Sequence, residues 1–115
     1  MPRVAQAPKP NLTELQILVS LAGGELHGYG IMRDVEERTG GAVRLGPGTL
    51  YGAMKRLLDA KWVEALPPVA TSGETGVDPR RRANYRLTRA GRRAASEAAR
   101  QMAQLVNVAT VRGLV

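Results

Sequence analysis

A helix that is apolar all the way round has to be covered on both sides, and residues Asn11 to Gly23 spell one. Leu15, Ile17, Leu18, Val19, Leu21 and Ala22 leave it almost no polar face. Thr13 is placed to cap its start, Gln16 three residues on completes a capping box, and Leu12 can staple onto Ile17. With 115 residues the chain is one domain near the lower end of what buries a good core alone. Part of the cover over this first helix is therefore expected from a second subunit.

Charge narrows the function. The chain carries 17 Lys+Arg against 10 Asp+Glu, a net charge of +7. A domain this basic usually meets a polyanion, nucleic acid more often than an anionic membrane. Without cysteine there are no disulfides and no thiolate chemistry, and the single histidine, His27, leaves no set of ligands for zinc. One histidine also rules out a Ser–His–acid set, and no acid/base pair sits in an apolar setting, so neither an enzyme nor a bound cofactor is expected. The longest apolar run, Leu15 to Ala22, is too short to span a bilayer. Residues 1–10, MPRVAQAPKP, lack the apolar core of a secretory signal and read as a disordered basic arm. The expected compartment is the cytoplasm.

Gly23-Gly24 ends the first helix, Leu26-His27-Gly28 is a short link, and a second helix runs to about Thr39 with Ile31, Met32 and Val35 inward. Gly40-Gly41 stops it. Gly46 can then serve as N-cap and Pro47 as the first residue of a third helix reaching Ala60. Leu50, Met54, Leu57 and Leu58 make its inner stripe, while Thr49, Gly52, Lys55, Arg56 and Asp59 face away. Trp62–Leu66 and Asn84–Leu87 read as two short strands of a hairpin, joined by a long loop with a mobile tip that ends in Arg80, Arg81 and Arg82. Thr88 caps a last helix of roughly 36 Å, whose stripe of Ala98, Met102, Leu105 and Ala109 suits a partner helix. The order divides the chain into the arm, a unit at 11–87, and the helix at 88–115.

Gly46, Gly48 and Gly52 admit two readings. They approach the glycine spacing of a nucleotide-phosphate loop, and Glu64, about 20 residues on, imitates the acidic residue that would hold a ribose. That loop requires a buried strand before Gly46 and a parallel βαβ unit around it. The four residues "AVRL" carry a charge, only helices lie upstream, and the spacing is GxGxxxG. The other reading fits the neighbours: two helices, a glycine-bearing turn and a following hairpin are the order of a winged helix-turn-helix. Gly48 and Gly52 then let the helix backbone approach DNA closely. The fold class expected is mainly α: three helices, a two-stranded β wing, and a long C-terminal dimerisation helix.

His27-Gly28-Tyr29, Pro47-Gly48-Thr49-Leu50-Tyr51, and Tyr85-Arg86-Leu87-Thr88 with Gly91 stand together in order and spacing. In these pieces the chain, from about Leu12 to Ala95, resembles the PadR-like family of bacterial transcriptional regulators. The resemblance implies a homodimeric winged-helix protein, usually a repressor, relieved in many members by a small molecule. The single C-terminal helix is similar to the short subfamily. Two features depart from it. Ala83-Asn84 precede Tyr85 where the family's wing usually ends in a basic residue and an aromatic pair. Nothing from Thr88 to Val115 is aromatic, which argues against planar drugs stacking on the last helix.

The residues expected at double-stranded DNA are Tyr29, Gly48, Thr49, Tyr51, Gly52 and Lys55, with Arg80, Arg81 and Arg82 of the wing reaching phosphates or the minor groove. Tyr51 can put its hydroxyl on a phosphate or pack half-buried, and Arg56 can pair with Asp59 or Glu36. His27 is expected to make a local hydrogen bond, and Trp62 to lie in the core at the wing base. Leu15, Leu18, Ala98, Met102, Leu105 and Ala109 are the expected dimer interface. The partners expected are a near-palindromic operator, a second copy of the chain and a small-molecule effector, without a membrane. The alternative is a winged-helix module that binds protein partners and no specific DNA.

Overall fold

The computed structural model describes residues 9–67 and 83–115. The elements are α1 (Leu12–Ala22), β1 (Leu26–His27), α2 (Gly28–Arg38), α3 (Pro47–Asp59), β2 (Val63–Leu66), β3 (Asn84–Leu87) and α4 (Arg89–Val111). This is the expected winged helix-turn-helix order. The arm falls outside the described residues except for Lys9 and Pro10, and so does most of the long loop.

The cap of α1 differs from the one expected. Asn11, not Thr13, is the N-cap, and the capping box closes with Glu14, not Gln16. Asn11 Oδ1 accepts from the Glu14 backbone N–H at 2.8 Å, and Glu14 Oε1 accepts from the Asn11 backbone N–H at 2.8 Å. Asn caps better than Thr, and a carboxylate in the first turn also suits the helix dipole. That leaves Thr13 inside the first turn.

Most of the cover over α1 comes from its own chain. Ile17, Leu18 and Leu21 are buried in one core with Ile31, Val35, Leu50, Met54 and Leu57 of α2 and α3. Ala95 of α4 closes the same core. The large apolar side chains that α1 leaves exposed are Leu12 and Val19, a smaller demand on a second subunit than the apolar run implies. Arg38 clamps α1 to α2: its guanidinium donates to Gln16 Oε1, the Gln16 carbonyl and Ser20 Oγ, and to Asp34 on its own helix. The Arg38 hydrogen bond, then one with Ser20, holds the Asp34 carboxyl below the usual carboxylate range.

The sheet has three strands rather than two, in the order β1-β3-β2, all antiparallel. Leu26 pairs with Tyr85 and His27 with Asn84, so the short link is a strand on the edge of β3 that β2 leaves free. Two residues are too few to show a period of two, which is why the sequence reads as a link. His27 also caps α2, its Nδ1 accepting from the Gly30 N–H at 2.9 Å, the local role expected of it. Gly40 and Gly41 turn the chain between α2 and α3 at φ of +60° and +84°, a conformation that favours glycine.

The start of α4 is fixed to the wing base. Thr88 is its N-cap: Oγ1 accepts from the Gly91 N–H at 3.0 Å and donates to the Lys61 carbonyl at 2.6 Å. Trp62 is buried there, as expected.

Candidate nucleic-acid interface

The helix α3 separates its two faces sharply. Leu50, Ala53, Met54 and Leu57 point into the core and are at most 1% exposed. Gly48, Thr49, Gly52, Lys55 and Arg56 are all exposed. At 3.6 residues per turn these five fall within about a third of the helix circumference. Gly46 is the N-cap and has no capping side chain, and Pro47 occupies the first turn. The first N–H groups of the helix therefore face outward without an internal acceptor.

Nothing inside the molecule requires glycine at 48 or 52. A Cβ at either position would meet no atom within 4 Å, and neither has a positive φ. Glycine in a helix costs about 1 kcal/mol relative to alanine, so this bare strip weakens the fold. It is flat, cation-flanked backbone of the kind that lets another molecule come close.

The start of α2 lies beside it. Tyr51 is half-buried, and its ring crosses Gly28: a Cβ there would lie 2.5 Å from the Tyr51 hydroxyl oxygen and 3.2 Å from Leu50 Cδ2. Packing therefore accounts for the ring, while the hydroxyl makes no hydrogen bond among the described residues. Tyr29 is exposed and stacks on His27 at 6.3 Å between ring centroids. The fold thus gathers Tyr29, Tyr51 and the Gly48–Lys55 strip on neighbouring ground. A hollow of about 330 Å³ between α3 and β3, lined by Tyr51, Met54, Lys55, Leu58, Asp59 and Tyr85, flanks the strip. Arg80, Arg81 and Arg82 lie outside the described residues.

Ion pairs take up the acidic residues around this face. Glu64 pairs with Arg86, directly opposite it across β2 and β3. Arg56 takes neither Asp59 nor Glu36. Glu36 pairs with Arg44 at 3.2 Å, and Arg56 Nε donates to Glu14 Oε2 of α1 at 3.3 Å. Glu14 is the residue that sequence reasoning missed. The signal for it was the one charged residue in α1.

A second surface lies away from this strip. An apolar groove of about 300 Å³ runs between the start of α1 and the middle of α4, with Leu12, Leu15, Ala94, Ala98, Met102 and Leu105 along it. Leu15 forms its floor at 7% exposure. Leu18 does not belong here: it is fully buried within its own chain and presents no surface to a partner. Ala109 is half-buried, and Val106 adds to the exposed apolar face of α4.

The family model for the transcriptional regulator PadR-like family matches residues 17–97. An uncharacterised 37.1 kDa protein in a transposon of Streptomyces fradiae is 38% identical over 97 residues, 84% of this chain; the chain spans about a quarter of that protein's length. Among solved structures, a transcriptional regulator from Clostridium thermocellum superposes with a TM-score of 0.72 at 21% identity, over 90% of each chain. A PadR family transcription regulator from Clostridium difficile gives 0.72 at 24% identity, over 87% of this chain and 96% of that one. Bacillus subtilis PadR in complex with operator DNA gives 0.65 at 21% identity, over 77% of this chain and 47% of that one. At these identities the superpositions speak to the fold. No helix among the described residues is long and apolar enough to cross a membrane.

Proposed function

The chain belongs to the PadR-like family of transcriptional regulators, and from that premise we propose that it is a sequence-specific DNA-binding repressor acting as a homodimer in the cytoplasm. The observation that carries the reading is the strip on α3: two glycines that internal packing does not require, between Thr49 and Lys55, on the exposed face of an otherwise well-buried helix. In this reading α3 lies in the major groove, with Gly48 and Gly52 allowing close approach and Thr49 reaching a base edge or phosphate. Lys55 and the hydroxyls of Tyr29 and Tyr51 meet phosphates, and Arg80, Arg81 and Arg82 extend the contact from the wing. Residues 11–87 form the DNA-binding unit and 88–115 the dimerisation helix. The second copy docks on the groove between α1 and α4, through Leu12, Leu15, Ala98, Met102, Leu105 and Ala109. Repression follows from exclusion of polymerase. An effector between the subunits relieves it by binding one spacing of the two α3 helices more tightly than the other.

Fluorescence anisotropy with the promoter of the protein's own gene and a scrambled duplex, across a salt series, tests this. The proposal predicts tight binding to the promoter, much weaker binding to the scramble, and a steep fall with salt. Equal weak binding to both duplexes would instead favour a module whose partner is a protein.

A further inference from the structure

Glu14 is one of two buried polar residues among those described, the other being Ser20. A carboxylate taken this far out of water has to be paired, and both of its oxygens are used. Oε1 closes the capping box of α1 and Oε2 accepts from Arg56 Nε of α3, 42 residues away. Arg56 lies in the last turn of α3, where its charge also suits the helix dipole. Its guanidinium borders the cationic strip and would be taken for one more phosphate contact. The same turn of α1 carries Leu12 and Leu15 on the groove, so Glu14 joins the recognition helix to the surface at which the second copy is proposed to sit.

We propose that Arg56 is a positioning residue: Glu14 holds it, and through it sets how α3 is presented to DNA. This rests on the DNA-binding reading above. It separates Arg56 from Lys55, which is exposed on the same helix and forms no ion pair among the described residues.

The test is a double-mutant cycle on promoter binding over a salt series. Glu14→Gln keeps an acceptor for the Asn11 N–H, since Gln also closes a capping box, and removes the charge that holds Arg56. Glu14→Gln and Arg56→Ala should each weaken binding roughly 3- to 30-fold, and the double variant should lose no more than the worse single. The slope of log affinity against log salt should stay at its wild-type value for all three. Lys55→Ala, the phosphate contact, should lower that slope by about 1. Circular dichroism checks folding, and Arg56→Gln replaces Arg56→Ala if the latter unfolds. Additive losses, or a lowered slope for Arg56→Ala with Glu14→Gln unaffected, would make Arg56 a phosphate contact and overturn the link. A wild-type chain that fails to tell promoter from scramble would instead overturn the reading beneath it.

Discussion

A Cβ added at Gly91 would lie 1.9 Å from the Trp62 carbonyl oxygen, an atom of the backbone that cannot swing aside. Gly91→Ala should therefore part α4 from the wing base and lower stability by roughly 1–3 kcal/mol or more, read from urea denaturation. Gly52 is the opposite case, with open space where a methyl would go. Gly52→Ala should raise stability by about 0.4–1 kcal/mol and yet weaken DNA binding, in paired denaturation and anisotropy measurements. If affinity were unchanged, close approach of the backbone would not be the reason for glycine there. Asp34 adds a pH dependence. Its folded-state carboxyl titrates below the unfolded value, held down first by the Arg38 hydrogen bond and then by Ser20. Its contribution is therefore full above the unfolded value of about 4 and is lost as pH falls through the folded value. Asp34→Asn should lower stability in the neutral region and flatten the acid limb below about pH 4, the difference from wild type shrinking as pH falls. At this scale the sequence was legible where one residue has one local job. Thr88 caps as its position suggests and His27 makes the local hydrogen bond expected of it, but Asn11 and Thr13 compete for one cap, and only Glu14, reaching back from N3, decides between them.

At the scale of elements, helices with a regular stripe were readable. Leu50, Met54 and Leu57 recur at helical spacing after a Pro at the start of α3, and the structure buries all three. The strands β2 and β3 were readable because each is long enough to alternate and a loop separates them. β1 was not, since its two residues acquire meaning only from the free edge of β3. The partner of Arg56 was out of reach for the same reason. Spacing within a helix proposes Asp59, whereas the crossing of α1 over α3 brings up Glu14. On α4, Ala94, Ala95 and Ala98 pack inward, and Met102 and Leu105 stand exposed at 42% and 68%. A charge at that point should leave the protomer folded and disrupt pairing. Met102→Asp is expected to sediment as a monomer with a circular dichroism spectrum like that of the wild type. A variant still sedimenting as a dimer would take the middle of α4 out of the interface.

For the whole molecule, the apolar run in α1 pointed to more help from a partner than the fold requires. Burial of Ile17, Leu18 and Leu21 beneath α2, α3 and α4 could not be seen from one helix, because it depends on how the others cross it. What remains for a partner is the groove beside Leu12 and Leu15 and the projecting end of α4. Two copies joined there would present two α3 strips, so that a pair of half-sites would be read together, about one helical turn or ~34 Å apart. Hydroxyl-radical footprinting of the promoter tests this most directly. The account predicts two protected patches, centred one helical turn apart and related by near-twofold symmetry, both lost with Met102→Asp. A single patch, or uniform protection without a preferred position, would contradict it.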